Sequence, residues 1–151
     1  MVTPEEFVER LCRLGADRGP RRFPKKYRDR EILMKSIVMQ LDGDRRYSEI
    51  EINEALKAWG RDVAPAIDSD HVTIRRFLVD YGHLERTTDG RLYQVGFPPR
   101  PLAFELEVDE IDPRATIAAF RDYAERQKHE RRSRSHATGP DDDPVTEPIA
   151  R

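Results

Sequence analysis

The chain has only one cysteine, Cys12, among its 151 residues, so it cannot form an intramolecular disulfide. A chain without disulfides suits a reducing compartment. No run of apolar residues approaches the roughly 18 that would span a bilayer. The first ten residues, MVTPEEFVER, also lack the basic start and apolar stretch of a signal peptide. We therefore expect a cytoplasmic protein that does not cross a membrane.

Motifs of catalysis and metal binding are also scarce. The histidines show no ligand spacing with one another or with Cys12. The sequence has no glycine motif that would cradle a phosphate and no nucleophile elbow. The acidic run Asp141-Asp142-Asp143 is typical of a solvated tail. The sequence thus predicts no catalytic residue, no metal ligand and no cofactor, and we do not expect an enzyme.

Basic and acidic residues are segregated along the chain, although the formal net charge is only −2. Residues 18–46 hold ten lysines and arginines but four acids, whereas residues 101–112 hold five acids and no base. Local charge matters more than net charge for attracting a polyanion. The basic segment therefore remains a candidate for nucleic-acid contact.

Five segments carry the signals of helices. Thr3-Pro4-Glu5-Glu6 and Ser48-Glu49-Ile50-Glu51 each place a glutamate three positions after a capping residue, as in a capping box. Apolar residues then recur three or four positions apart, as on one face of a helix. The predicted helices cover 4–14, 28–41, 49–60, 70–81 and 113–126. Trp59 ends the apolar stripe of the third helix, so we expect it to pack in the core.

Strand signals follow the fourth helix directly. Segments 83–87 and 91–95 flank Asp89-Gly90, a dipeptide that favours a type I′ hairpin turn. A short extended piece is expected at 45–47. Alternating apolar residues predict another extended segment at 102–108.

The predicted order over the middle of the chain is helix, short strand, helix, helix, strand, strand. This order is that of a winged helix-turn-helix, and the predicted fold class is mostly helical α+β. The winged helix would occupy 21–97, after an N-terminal helix within 1–20. An extended segment and a C-terminal helix would occupy 98–133. Residues 134–151, which carry few apolar side chains, are predicted to be a disordered tail.

The same region resembles a known bacterial family, the domain of unknown function 2087. The resemblance covers about residues 22–97 and implies a small winged-helix domain of the kind found alone or attached to arsenic-repressor-type regulators. It rests on these residues: Phe23-Pro24-Lys25-Lys26, Arg46-Tyr47-Ser48-Glu49, Ile52-Asn53, Asp70-His71-Val72-Thr73-Ile74-Arg75-Arg76, Leu78-Val79-Asp80, Leu84, Arg86, Asp89-Gly90 and Tyr93.

Two groups of side chains are candidates for DNA contacts. Lysine and arginine position a protein on the phosphates of a duplex, and the N-terminal half of a recognition helix meets base edges. We expect base contacts from His71, Thr73, Arg75 and Arg76. We expect phosphate contacts from Arg21, Arg22, Lys25, Lys26, Arg28, Arg45, Arg46, Arg86 and Arg91. The alternative is that these charges form an ordinary solvated surface.

The resulting functional hypothesis is a DNA-binding winged-helix protein that acts as a transcriptional regulator on double-stranded DNA. The alternative is a protein–protein interaction adaptor that keeps the winged-helix scaffold without binding nucleic acid. RNA binding is a third option, for which the sequence offers no evident aromatic stacking residues. Fold alone does not choose among them.

The helices at 4–14 and 113–126 carry apolar stripes outside the predicted winged helix. These stripes either pack on each other and on the core, or pair across a two-fold axis to form a homodimer. The predicted interface residues are Phe7, Leu11, Ile117 and Phe120.

Overall fold

The computed structural model describes residues 1–137. Its helices are α1 (Pro4–Gly15), α2 (Tyr27–Val38), α3 (Glu49–Asp62), α4 (His71–Asp80) and α5 (Pro113–Ala137), with a 3-10 helix at Leu106–Glu110. Its strands are β1 (Tyr47–Ser48), β2 (Leu84–Arg86) and β3 (Leu92–Val95). The described part of the chain is mostly helical with one small sheet, which confirms the predicted α+β class.

The three strands form an antiparallel sheet in the order β1-β3-β2. Tyr93 of the central strand pairs with Tyr47 on one side and with Arg86 on the other. The sheet therefore joins a strand that precedes α3 to a hairpin that follows α4. From α2 to β3 the elements follow the predicted order of helix, short strand, helix, helix, strand and strand.

The helix starts depend on local hydrogen bonds that the sequence predicted. The Glu6 amide donates to Thr3 Oγ1 at 3.1 Å, and Ser48 and Glu51 form a complete capping box. Asp70 caps α4 through the Thr73 amide, at 2.7 Å. The capped ends satisfy amides that would otherwise have no partner in the first turn.

The hairpin tip differs from the predicted type I′ turn. That turn requires positive φ at both central residues, but only Gly90 of the pair has it, with φ 72°. The strands stop at Arg86 and Leu92, so the loop is longer than two residues. Side chains stabilise this wider loop, because Thr87 Oγ1 accepts from the Leu92 amide at 3.1 Å and Asp89 Oδ1 accepts from the Arg91 amide at 3.0 Å.

A polar bridge lies inside the core between α2 and α3. Trp59 is fully buried, as predicted, and its indole Nε1 donates to Ser36 Oγ at 2.9 Å. The Ser36 hydroxyl donates in turn to the Leu33 carbonyl at 2.6 Å. The bridge satisfies the one polar atom of the indole, which would otherwise be costly to bury.

The segment predicted as extended, 102–108, is extended only at its start. Phe104 forms an isolated bridge with Val2, whose amide donates to the Ala103 carbonyl at 2.8 Å. A 3-10 helix then begins at Leu106 and buries Val108 completely. Because Val2 offers only one residue of pairing, the chain gains more by turning to bury Val108 than by continuing as a strand.

Other boundaries also differ from prediction. Helix α2 ends at Val38, and residues up to Leu41 continue in tighter turns, with Leu41 N 3.1 Å from Val38 O. Helix α5 extends to Ala137, so residues 134–137 are helical, not disordered. Arginine, glutamate, lysine and glutamine are good helix formers, and Arg126 pairs with Asp122 one turn away. The rest of the predicted tail lies outside the described residues.

The chain divides into two compact units, Met1–Phe120 and Arg121–Arg151. The first unit contains the hydrophobic core and all elements up to the first part of α5. In the second unit, residues 121–135 are exposed except for Ala124 and Gln127, which are half-buried.

The residues predicted to form a dimer interface are buried or partly buried within one chain. Phe7 and Leu11 are completely buried within one chain, Ile117 is 1% exposed, and Phe120 packs partly buried against the core. The Phe7 ring meets Phe104 edge to face, with centroids 6.2 Å apart. Phe7, Leu11 and Ile117 are thus covered within one chain, so they cannot form the predicted interface, while a homodimer itself stays a prediction.

We predict that Ser36→Ala lowers the free energy of unfolding by about 1–3 kcal/mol, because it leaves the buried Trp59 N–H without an acceptor. Urea unfolding of the full chain would measure the change. The same substitution should cost less in a Trp59→Phe background, where no indole N–H remains. Fully additive effects of the two substitutions would contradict a direct Ser36–Trp59 interaction.

Candidate nucleic-acid interface

Helix α4 has a buried face, an exposed face and a half-buried side between them. Ile74 and Leu78 are buried in the core. Successive helical residues are about 100° apart, which places Val72 and Arg76 on the opposite side, where both are exposed. Thr73 lies between these two faces and is half-buried.

The two arginines predicted to contact bases have different environments. Arg75 donates to Asn53 Oδ1 and forms an ion pair with Glu49 (Nη2 to Oε1, 2.9 Å), so both its partners are on α3. Its side chain is only 16% exposed. Arg76 is exposed, and its side chain has no ion pair or hydrogen bond within residues 1–137. Arg75 therefore joins the two helices, and Arg76 is the arginine that α4 presents to solvent.

The other two predicted base contacts lie at the start of α4. His71 is its first residue and is half-buried. The Thr73 amide, and more weakly its side chain, stabilise the charged form of Asp70, which lowers the pKa of that carboxyl group. This capped end is held firmly, which fixes the direction of the side chains in the first turn.

A cleft of about 290 Å³ separates α4 from the hairpin. Arg75, Arg76 and Arg86 line it together with the apolar side chains of Val72 and Val79. Tyr93 and Asp80 complete the lining. The guanidinium carbons of Arg75 and Arg86 lie 5.9 and 5.5 Å from the centroid of the buried Tyr93 ring. Guanidinium groups stack readily on aromatic rings, so this ring helps to position both arginines.

The hairpin tip carries further exposed cations. Arg86 Nη2 donates to the Gly90 carbonyl at 3.0 Å, which draws its side chain towards the tip. Arg46, just before β1, and Arg86 line a second cleft of about 500 Å³ that also contains Glu85 and Asp89. Arg91 is exposed at the start of β3. The sheet thus brings Arg46 next to a hairpin that is distant from it in sequence.

The basic connector, residues 18–26, precedes α2 and runs along α4 on a different side from the hairpin. Its backbone pairs with the loop that leads into α4, since the Asp68 amide donates to the Arg21 carbonyl at 2.7 Å. The Phe23 ring then lies 5.8 Å from that of Phe77 in α4. Phe77 is about 140° around the helix from Val72. The connector and the hairpin therefore flank α4.

Three of the predicted phosphate contacts already have partners inside the protein. Arg28 makes two hydrogen bonds to Glu6, and these bonds lower the pKa of that carboxyl group to about 2. Arg45 pairs with Glu51. Arg21 Nη2 donates to the Asp17 carbonyl, and its Nε is buried without a partner among the described residues. Arg21 and Arg28 are half-buried and Arg45 is exposed, so each would have to share or give up its present partner to bind a phosphate.

The remaining predicted cations are exposed and available. Within residues 1–137, five of them have neither an ion pair nor a hydrogen bond from the side chain: Arg22, Lys25, Lys26, Arg46 and Arg91. Together with Arg76 and Arg86, they form what we call the flanking cations, on the connector, on α4 and around the hairpin.

Sequence reasoning missed the clamp on Arg75 and the apolar part of the cleft. The clamp needs Asn53 and Glu49 from α3, and no local pattern connects them with α4. Val72 and Val79 could have been found, because they are seven residues apart and so lie on one face of α4, away from the core stripe.

Within residues 1–137, no helix combines the length and the apolar character that crossing a bilayer requires. The same residues contain no group of three or more histidine, cysteine, aspartate or glutamate side chains that could hold a metal ion.

Comparison with known proteins identifies a family over the middle of the chain. No curated protein and no solved structure matches the chain. Residues 21–95 match the model of a family described as "Uncharacterized protein conserved in bacteria (DUF2087)". The match begins in the connector and ends with β3, so it contains the flanking cations and leaves out α1 and α5. Through residues 21–95 the chain belongs to the domain of unknown function 2087 family, as the resemblance predicted.

Proposed function

We propose that the protein is a winged-helix protein that binds double-stranded DNA and acts as a transcriptional regulator. In this proposal α3 and α4 form the helix-turn-helix, and the β2–β3 hairpin is the wing. The observation that carries it is the set of flanking cations: they are exposed, none forms an ion pair within residues 1–137, and they bracket one solvent-facing helix.

The connector and the hairpin supply the phosphate contacts. Lys25 and Lys26 are exposed beside α2, and Arg46 and Arg91 are exposed around the hairpin. With α4 in the major groove, cations on its two flanks face the two phosphate backbones that border the groove. Such contacts fix the orientation of the protein but do not read sequence.

Base reading falls to the first half of α4. Arg76 is free to bond guanine, and the adjacent Thr73 and Val72 can contact a base or the methyl group of thymine. Arg75 supports this surface from behind, through its bonds to Asn53 and Glu49. The proposal therefore keeps His71, Thr73 and Arg76 as base contacts and gives Arg75 a positioning role.

Acidic residues limit the surface that can approach DNA. Asp80 lines the cleft at the end of α4, and Glu85 lines the one beside Arg46. A phosphate near either carboxylate would be repelled. The N-terminal half of α4 is therefore the part that we expect to enter the groove.

The adaptor hypothesis remains the second candidate, because several large apolar side chains are strongly exposed, Phe97 and Leu106 most of all. Phe97 is 89% exposed after the hairpin, and Leu106 is 82% exposed in the 3-10 helix. Exposed aromatic side chains are common anchors at protein interfaces. Failure to select any DNA sequence would favour this candidate.

We predict that Lys25→Gln and Lys26→Gln each weaken DNA binding on all sequences alike. Each should also reduce the slope of log affinity against log salt by about one unit, as expected for one lost phosphate contact. Fluorescence anisotropy with labelled duplexes at several salt concentrations would measure both effects. Lys57→Gln is the matched control, because Lys57 is an exposed lysine on α3 that pairs with Glu54. Equal losses for the control would show only a general charge effect.

We predict that Arg76→Ala and Arg75→Ala act by different routes. Arg76→Ala should remove the preference at one base position, at a cost of about 1–3 kcal/mol on the preferred site, and leave folding unchanged. Arg75→Ala should lower the free energy of unfolding, because it leaves Asn53 and Glu49 without their partner.

Sequence selection from a random DNA pool at physiological salt gives the preferred site, and affinities for single-base variants of that site then test each mutant. Urea unfolding measures stability in parallel. The assignment fails if Arg75→Ala changes the base preference while stability stays the same, or if Arg76→Ala leaves the preference intact.

A further inference from the structure

A larger cleft lies between the C-terminal end of α4 and the start of α2, at the opposite end of α4 from His71 and Thr73. It has a volume of about 570 Å³, within the roughly 300–1,000 Å³ typical of small-molecule sites. Tyr27 and Tyr81 are 42% and 38% exposed and line it together with Pro99. Tyr27 Oη donates to the Arg100 carbonyl at 2.8 Å, which ties the start of α2 to the segment after the hairpin.

Arg30 lines this cleft with donors that are poorly satisfied. Its guanidinium carbon lies 3.9 Å from the centroid of the Tyr81 ring. Its Nη1 and Nη2 make only long hydrogen bonds, 3.5 Å to the Lys25 carbonyl and 3.4 Å to Glu31 Oε1. Its Nε also has no partner among the described residues, but that atom is buried, which leaves Nη1 and Nη2 for a ligand. Since a guanidinium carries five N–H donors, Arg30 retains capacity for a carboxylate, the acceptor that suits its forked geometry.

The cleft balances charges of both signs. Arg30 and Arg100 are its cations, and Glu31 and Asp80 are its carboxylates. Glu31 is already engaged by the buried His83 as well as by Arg30. Asp80 is exposed, and its carboxylate has no hydrogen bond or ion pair within residues 1–137. A simple anion would be repelled by Asp80, and a simple cation would be repelled by the two arginines.

We propose that this cleft binds a small zwitterion with an aromatic side chain, that is, an aromatic α-amino acid. Its carboxylate would accept from Arg30 and Arg100, and its ammonium group would pair with Asp80. Its ring would cover the exposed faces of Tyr27, Tyr81 and Pro99. A ligand of this class uses every unmet feature of the cleft, namely two sets of N–H donors, one free carboxylate and two exposed rings.

The site goes beyond the proposed DNA function and does not depend on it. Asp80 is nevertheless the last residue of α4, and Tyr81 is its C-cap. A bound ligand would therefore contact the end of the same helix whose first half is proposed to read DNA.

Titration of the ¹⁵N-labelled full chain with L-phenylalanine, followed by NMR, tests the proposal directly. We expect saturable shifts of the amide signals of Arg30, Tyr81 and Arg100, with a dissociation constant in the millimolar range or tighter. Two analogues separate the charges: 3-phenylpropionate lacks the ammonium group, and phenethylamine lacks the carboxylate. Each should bind about tenfold more weakly, because each loses a charge-assisted hydrogen bond.

Variants assign the effects to the cleft. Arg30→Gln and Arg100→Gln should each weaken phenylalanine binding, and Asp80→Asn should do so without weakening 3-phenylpropionate. Arg76→Gln and Asp68→Asn are matched controls, since both residues are exposed and do not line the cleft. Arg100 and Asp80 are exposed, so their variants keep the test valid even if Arg30→Gln unfolds. The proposal is overturned if phenylalanine gives no saturable shifts, if 3-phenylpropionate binds as tightly, or if Arg100→Gln and Asp80→Asn bind normally.

Discussion

The packing of Phe23 determines where the basic connector lies. Its side chain is 5% exposed, and its ring lies 6.2 Å from that of Trp59 in α3 and 5.8 Å from that of Phe77 in α4. Burying an aromatic ring of this size contributes about 1.5–3 kcal/mol, far more than an exposed ion pair. One aromatic anchor therefore holds a segment of cations beside α4, although neighbouring cations repel each other.

Ion pairing within the fold explains how a chain with a net charge of −2 can present a basic surface. Acids of α1 and α2 pair with arginines of the same two helices: Glu6 binds Arg28 and Arg10, and Asp29 binds Arg10 and Arg13. The acids of 101–112 lie in another part of the chain, where Asp109 pairs with Lys35. The flanking cations form no ion pair within residues 1–137, so they can attract a polyanion despite the negative net charge of the chain.

The sequence could predict interactions between residues that are close along the chain, but not those between residues that are far apart in it. The caps at Thr3 and Ser48 depend on residues three positions apart, and the structure has a complete capping box at Ser48 and the Glu6 amide bond to the Thr3 side chain at the first helix. The clamp on Arg75 depends on Asn53, 22 residues away, and the coverage of α1 depends on Phe104 and α2. Residue spacing does not predict such contacts, because they depend on how the helices pack. The hairpin is an intermediate case. The turn was predicted, but the length of the loop between β2 and β3 depends on the Thr87 and Asp89 side chains.

The end of α4 is the point at which the two proposed sites meet. Gly82 has φ 84°, and a side chain there would come within 2.9 Å of Pro99 and 3.0 Å of Pro98, so the helix end is seated on the segment after the hairpin. A ligand between α2 and that segment can change DNA binding only if it favours one position of α4 over another. It must then bind the two positions with different affinity, and DNA must shift ligand affinity by the same factor. Since Asp80 and Tyr81 belong both to the helix end and to the cleft wall, a movement of α4 would alter the ligand contacts directly, without any longer path through the core.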